Sequence, residues 1–357
     1  MELGQILTAA VTANASDVII SPGRAPMARI KGQVVPLTGV PALTDTDARN
    51  LIYSALPESK RSKFEAENEL DYSFSLPGSA RFRVNVCLQR AGISAVYRVI
   101  PGRIPTPEEI MLTPQMVALA DLPRGLVLVT GPTGSGKSTT LAALVEYINC
   151  KYRKSVLTIE DPIEFIYESK NSVIMQREVG NHTASFGQAL RRALRQSPDV
   201  IMVGEMRDLE TIQLAITAAE TGHLCFATLH TTDCASTVDR MIDVFPTGQQ
   251  QQVRTQISLT LAGVISQTLI ERRDGGARIA AREFMVMTNA ISSLIRESKQ
   301  HMIYSALETG AKFGMMTLDQ DLARLIATGK IREEDGIKKA LSPDSVRQLL
   351  KLQQQGV

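Results

Sequence analysis

The spacing of apolar and polar positions changes character about a third of the way along the chain. Residues 81–86 read Arg-Phe-Arg-Val-Asn-Val, the period-two pattern of a half-buried strand. Residues 93–100 predict a second strand, able to pair with the first across a turn at 89–92. Upstream, 27–30 and 33–37 flank Lys31-Gly32, a hairpin signal. The stretches 46–55 and 57–67 have helical character. Together these predict a small α+β domain over residues 1–100. Prolines at 101, 105 and 107 cannot continue a helix or a central strand, so a linker is expected at 101–112.

From 113 onward, short and nearly continuous apolar runs alternate with helical segments. That alternation predicts a parallel sheet covered on both faces. The strand candidates are 126–130, 156–160, 200–205, 224–230 and 279–287. The clearest helix is 209–221, with Asp208 as its N-cap and Gly222 just past its end. Leu209, Ile212, Ile216 and Ala219 mark its buried stripe. This core is expected to run over 113–288. Residues 289–357 read as a mostly helical region, broken at Gly310, Gly314 and Gly329. The polar tail 351–357 predicts a frayed end.

Composition narrows the picture. A chain of 357 residues exceeds the roughly 250–300 at which single cores stop growing, so two domains are expected. The balance of 39 basic and 37 acidic residues gives no dedicated nucleic-acid surface, although a local basic groove remains compatible with it. No apolar run approaches the ~18 residues that span a bilayer. The first residues carry no basic stretch of a signal peptide. Cys87, Cys150, Cys225 and Cys234 form no C-x-x-C pair, which argues against a zinc site or a disulfide framework and fits a reducing cytoplasm.

Residues 131–138 carry the candidate chemistry. They read Gly-Pro-Thr-Gly-Ser-Gly-Lys-Ser, a complete G-x-x-x-x-G-K-[ST] phosphate-binding loop. The strand 126–130 precedes it. Leu141, Leu144, Val145 and Ile148 follow at helical spacing. Glycines let the N–H groups of Gly134, Ser135, Gly136 and Lys137 turn inward around a phosphate, and the next helix adds its positive end. Lys137 can reach the β- and γ-phosphates, and the Ser138 hydroxyl can ligate Mg²⁺. Gly131, Pro132, Thr133, Gly134, Ser135, Gly136, Lys137, Ser138 and Thr139 form the candidate nucleotide-binding set.

Three other strands run into titratable groups at the edge where parallel sheets bind ligands. One leads to Glu160-Asp161 with Glu164 shortly after, one to Gly204-Glu205, and one to His230. Phosphoryl transfer needs a positioned water, Mg²⁺ and countercharge, so the chemistry that fits is ATP hydrolysis. Glu164 and Glu205 are both candidates for orienting the attacking water. Glu205 is also a candidate for holding Mg²⁺ through water, and His230 for sensing the γ-phosphate. His223 has the alternative of bonding a helix's last carbonyls. Arg191, Arg192 and Arg195 read as a solvated or subunit-facing surface.

The segments TIEDPIEF (158–165), VIMVGEMRD (200–208) and TGHLCFATLHT (221–231) resemble the acidic box, variant Walker B motif and histidine box of the secretion-type ATPases of type II secretion and type IV pilus machines. The resemblance covers nearly the whole chain. Within that family, ASDVIISPG (15–23) and AISSLIRE (290–297) resemble the pilus retraction, twitching-motility branch. Where that branch's C-terminal motif has Arg and Asn, this chain has Ser292 and Ser293.

The resemblance implies a RecA-like P-loop NTPase core, a smaller N-terminal α+β domain of PAS-like type and a helical C-terminal region. It implies ATP and Mg²⁺ as ligands and a homohexameric ring. Arg83 and Arg98 would reach the nucleotide of a neighbouring subunit. It implies a cytoplasmic motor, peripheral to the inner membrane at the pilus base. Its partners would be an inner-membrane platform protein and other pilus motor ATPases, with no nucleic acid and membrane contact only through proteins. An assembly, secretion or accessory motor of the same family is the alternative. A nucleic-acid translocase on a RecA-like core is disfavoured by near-neutral charge and 4% aromatic content. A nucleotide-gated adaptor without catalysis is disfavoured by the presence of Lys137, Ser138, Glu164, Glu205 and His230.

Overall fold

The computed structural model describes residues 2–30, 32–37, 39–76, 80–100 and 102–354. It divides into one unit of Met1–Arg103 with Pro162–Ile166 and another of Ile104–Asp161 with Tyr167–Val357.

The first unit contains α1 (Leu3–Thr12), β1 (Asp17–Ile20), β2 (Met27–Ile30), β3 (Gln33–Pro36), α2 (Asp45–Ser54), α3 (Glu58–Glu67), β4 (Glu69–Leu76), β5 (Ala80–Gln89) and β6 (Gly92–Ile100). Its strands form one antiparallel sheet in the order β3-β2-β1-β6-β5-β4. The period-two pattern in β5 is realised as expected: Phe82, Val84 and Val86 are fully buried while Arg81, Arg83 and Asn85 take the other face. The turn between β5 and β6 closes on the pair Gln89–Gly92. The expected β2–β3 hairpin is present, with Lys31 outside the described residues. The Thr44 hydroxyl accepts from the N–H of Asp47 and starts α2. Asn68, in the left-handed region at φ 62°, ends α3. Sequence reading did not resolve β1 and β4 as strands. In β4, Leu70 and Tyr72 are buried between polar neighbours.

The second unit contains α4 (Pro114–Ala118), β7 (Gly125–Thr130), α5 (Lys137–Lys151), β8 (Ser155–Glu160), β9 (Val173–Glu178), α6 (Phe186–Ala193), β10 (Val200–Val203), α7 (Leu209–Glu220), β11 (Leu224–Leu229), α8 (Cys234–Asp243), α9 (Thr247–Thr260), β12 (Leu261–Ile270), β13 (Ile279–Val286), α10 (Asn289–Arg296), α11 (Ile303–Glu308), α12 (Leu318–Ala327), α13 (Glu333–Ile337) and α14 (Pro343–Gln354). Its sheet has the order β13-β12-β7-β11-β10-β8-β9. All neighbours are parallel except β12 and β13. The segment 279–287, read as part of a parallel sheet, is thus an antiparallel edge strand. The eight residues between β12 and β13 are too few for the dozen or so that a parallel crossover needs.

Every residue of β7, β10 and β11 is buried, matching the apolar runs that predicted them. β10 and β11 end at Val203 and Leu229, so Glu205 and His230 lie on the loops just beyond. In α7 the Asp208 side chain accepts from the N–H of Thr211, and Gly222 takes φ 102° past the end, as expected. β9 and β12 were not expected. β9 is an edge strand whose Val173 is largely exposed, and β12 follows α9 with no intervening break. Residues 104–112 of the expected linker group with the second unit, and Pro101 lies outside the described residues. Buried Arg282 fastens that segment, donating to the carbonyls of Ile110 and Met111 at 2.8 and 3.2 Å. Residues 355–357 of the expected frayed tail lie outside the described residues.

Candidate active site

The register of the second sheet brings the candidate residues to one edge. Thr130 at the end of β7 pairs with Leu229, and Val203 of β10 pairs with Ala227 of β11 and Ile159 of β8. The phosphate loop, His230, Glu205 and Glu160 therefore leave neighbouring strands at their carboxyl ends, about 4.8 Å per strand apart.

The loop has the geometry its glycines require. Gly131, Gly134 and Gly136 have φ of 141°, 78° and 86°, values that L side chains rarely adopt. A Cβ on Gly131 would stand 2.2 Å from the Gln267 carbonyl oxygen and 2.6 Å from Ser135 Oγ. Pro132, Thr133 and Gly134 are exposed at the tip. Ser138 and Thr139 are half-buried in the first turn of α5, which begins at Lys137. Lys137 Nζ donates to the carbonyls of Gly131 at 2.8 Å and Pro132 at 3.2 Å, so its ammonium spans the loop. Among the described residues nothing hydrogen-bonds the buried Ser135 hydroxyl. A loop closed against a side chain at Gly131, spanned by an ammonium and holding a buried hydroxyl, fits a phosphate chain.

Glu205 sits at the centre of the adjoining polar group. Its Oε1 is 2.5 Å from His230 Nε2, and its Oε2 accepts from Arg207 Nη2 at 2.8 Å. Burial raises its carboxyl, but the hydrogen bonds from Arg207 and His230 outweigh burial and hold it below the usual carboxylate range. The backbone reaches this position through Gly204. A Cβ there would meet the Ile159 carbonyl oxygen at 3.2 Å, and Thr228 Oγ1 donates to the Gly204 carbonyl at 2.5 Å. Glu160 is buried and engaged, accepting from Thr158 Oγ1 at 2.6 Å and Gln176 Nε2 at 3.2 Å. Ser138 and Glu205 are hard oxygen donors suited to Mg²⁺, which takes one or two protein ligands and completes its shell with phosphates and water. Among the described residues no group of three or more His, Cys, Asp or Glu forms a metal cage.

Sequence reading overlooked a supporting layer. Gln267 of β12 bonds both the loop and α5. Next to it, Ser266 Oγ donates to the Thr232 carbonyl at 2.8 Å, and Glu283 of β13 accepts from the N–H of Cys234 at 2.7 Å. Those two bonds hold the turn that follows His230. Arg207 was within reach of sequence reading, because it lies two residues after Glu205 in a segment already singled out. His223 immediately precedes β11 at the opposite edge, with Nδ1 3.0 Å from the Ala218 carbonyl, the helix-end alternative.

The remaining candidates belong to the first unit. Arg83 and Arg98 are direct cross-strand partners on β5 and β6. Arg98 Nε donates to Asp17 Oδ1 at 2.9 Å, and Arg29 lies 3.4 Å from the other oxygen. Register places Arg83, Arg98, Asp17 and Arg29 in one row across four strands. Glu164 lies in Pro162–Ile166, the segment grouped with this unit, and is half-buried. In the C-terminal motif, Ser292 is buried and donates to the Ser258 carbonyl at 2.9 Å. Arg296 donates to the hydroxyls of Ser292 and Ser293.

Comparison with known proteins shows the family. Residues 108–290 match the type II/IV secretion system protein family. The chain is 50% identical over 345 residues to the type IV pilus retraction ATPase PilT of Pseudomonas aeruginosa, covering 97% of this chain and 100% of that protein. It is 48% identical over 321 residues to a twitching motility protein of Neisseria gonorrhoeae, covering 90% and 86%. A crystal structure of the pilus retraction motor PilT with bound ADP matches with a TM-score of 0.91 at 42% identity, over 98% of this chain and 99% of that one. No helix among the described residues is long and apolar enough to cross a membrane. The chain belongs to the type II/IV secretion system protein family, and its similarity to the pilus retraction ATPases extends over nearly its full length.

Proposed function

We propose that the chain is the subunit of an ATP-driven motor that retracts type IV pili. The observation that carries the catalytic part is the shared sheet edge, where the phosphate loop stands beside a Glu205 held ionised between His230 and Arg207. The bound ADP in the similar PilT crystal structure supports the loop as a nucleotide site.

In this reading the N–H groups of Gly134 to Lys137 hold the β-phosphate. The Lys137 ammonium exchanges the Gly131 and Pro132 carbonyls for phosphate oxygens. The Ser138 hydroxyl and, through water, the Glu205 carboxylate would hold Mg²⁺. The ion, when bound, neutralises charge on the transferred phosphoryl group. Glu205 and Glu164 are the two carboxylates available to orient the attacking water. His230, hydrogen-bonded to Glu205, registers whether a γ-phosphate is present. Arg83 and Arg98 supply countercharge from a neighbouring subunit in a homohexamer, a role suited to the planar guanidinium. Of the expected linker 101–112, the part ahead of Ile104, where the second unit begins, acts as the hinge between the moving parts. The motor works at the cytoplasmic base of the pilus against an inner-membrane platform protein.

Phosphate release from ATP, with and without Mg²⁺, tests the enzyme. Pilus length after gene deletion tests the direction. Hyperpiliated cells support retraction, and bald cells would assign the motor to assembly.

A further inference from the structure

One side chain of β12 holds the phosphate loop from outside. Gln267 is 3% exposed. Its Nε2 donates to the Ser135 carbonyl at 2.7 Å, and its Oε1 accepts from Thr140 Oγ1 at 2.8 Å. A carbonyl oxygen only accepts, which fixes the orientation of the amide. The missing Cβ of Gly131 would stand 2.2 Å from Gln267's own carbonyl oxygen, and that of Gly136 would stand 3.2 Å from its Nε2. Both ends of the loop thus pack on this residue without a side chain between.

We propose that Gln267 is a positioning residue for nucleotide binding, because it sets the peptide plane on which the loop's inward N–H groups depend. The Ser135–Gly136 peptide is planar and trans, so its C=O and N–H point in opposite directions. Tying the oxygen to Gln267 aims the Gly136 N–H away from β12 and into the loop's concave side. The bond from Thr140 seats the same amide on the first turn of α5, three residues beyond Lys137. Loop, helix start and strand are held in one geometry. Gln267 itself touches no phosphate and acts through the Ser135–Gly136 peptide.

The inference rests on reading the loop as a nucleotide site, and the test separates the two. A fluorescent ADP analogue is titrated with Mg²⁺ into wild type, into Gln267→Glu and into the double variant Gln267→Leu/Thr140→Val. The double variant replaces the Gln267–Thr140 pair by apolar groups of similar shape, which limits the loss of stability. It is expected to stay folded without nucleotide, melting somewhat below wild type because the Ser135 carbonyl loses its donor, and to bind ADP about tenfold more weakly. In Gln267→Glu the introduced carboxyl donates to the Ser135 carbonyl only while protonated, and burial raises its pKa, so binding is followed from alkaline pH downward. Its binding is expected to recover as pH falls and the carboxyl takes up a proton, a trend wild type lacks. If the double variant does not fold, this pH profile decides. Wild-type affinity in the double variant, or no acid recovery in Gln267→Glu, would overturn the positioning role. Failure of wild type to bind the analogue would remove the nucleotide reading and this inference with it.

Discussion

Replacing Glu205 by glutamine keeps the shape of the side chain and removes its charge. Two hydrogen bonds weaken, at 2.5 Å to His230 and 2.8 Å from Arg207. A hydrogen bond to a charged group contributes about 1.5–3 kcal/mol when shielded from water. Here the His230 and Arg207 side chains are 49% and 67% exposed, which lowers each contribution to about 0.5–1 kcal/mol. The structural penalty is then about 1–2 kcal/mol, or a drop of about 2–8 °C in melting temperature for a unit of this size. The chemical penalty is larger, because a group that orders water or metal-bound water contributes about 10²–10⁴ in rate.

The paired assay measures phosphate release at saturating ATP and Mg²⁺ alongside thermal melting. We expect turnover to fall at least about a hundredfold with nucleotide affinity nearly intact. The pH dependence has a definite sign. The folded-state pKa of Glu205 is depressed, so its stabilisation is present above the unfolded carboxyl value of about 4.3 and is lost as pH falls through the folded value. Wild type should lose this contribution in acid, and the glutamine variant should lack it throughout. Turnover within about threefold of wild type would refute the argument that this carboxylate serves the chemistry.

Lys137→Ala should reduce phosphate release at least about a hundredfold, because it removes the ammonium proposed to hold the transferred group; undiminished release would end the assignment. Gly131→Ala places a Cβ 2.2 Å from the Gln267 carbonyl at φ 141°, so ADP binding should be lost together with about 1–3 kcal/mol of stability, read by titration and melting. Arg98→Ala leaves Asp17 with Arg29 and the Ser16 hydroxyl, so the subunit should stay folded with a loss of about 1 kcal/mol while turnover drops. Wild-type turnover in that variant would mean the arginine does not complete a site. Glu164→Gln, compared with Glu205→Gln at saturating Mg²⁺, should show which carboxylate orients water: its loss should lower kcat at unchanged Mg²⁺ requirement.

The legible parts of this molecule were those whose physics is local. The loop at 131–138 announces itself because glycines, lysine and serine must occur at fixed offsets between a strand and a helix. α7 was readable from Asp208, Gly222 and the stripe of Leu209, Ile212, Ile216 and Ala219. β5 was readable from strict alternation. The segments 200–205 and 224–230 were readable as strands, but only the register of the sheet shows Glu205 and His230 within one hydrogen bond of each other. β12 escaped notice because α9 runs into it with no glycine or proline between, and because it buries polar Ser266 and Gln267 among its apolar residues. The partners that explain those two side chains lie far away in sequence, at Thr232, Ser135 and Thr140. No periodicity within the strand could have supplied them. The same holds for Asp17, whose role in holding Arg98 and Arg29 depends on three strands meeting in register.

The irregularity at the start of β12 has a consequence of parity. Leu261 pairs with Leu126 and Gly263 with Val127, so Ala262 is one residue more than its neighbour strand has. Sides alternate along a strand, and a single extra residue exchanges the two faces of everything that follows. Were Ala262 paired with Val127 instead of bulging, the register would shift by one and the place of Gln267 beside the loop would fall to Ser266. A hydroxyl on a one-carbon stem would stand where a two-carbon amide now bridges Ser135 and Thr140. Whether the loop receives its brace is therefore decided five residues upstream, by an odd rather than an even number of positions. Flattening that bulge with Ala262 kept in the ladder would disarm the site without altering any residue that touches it.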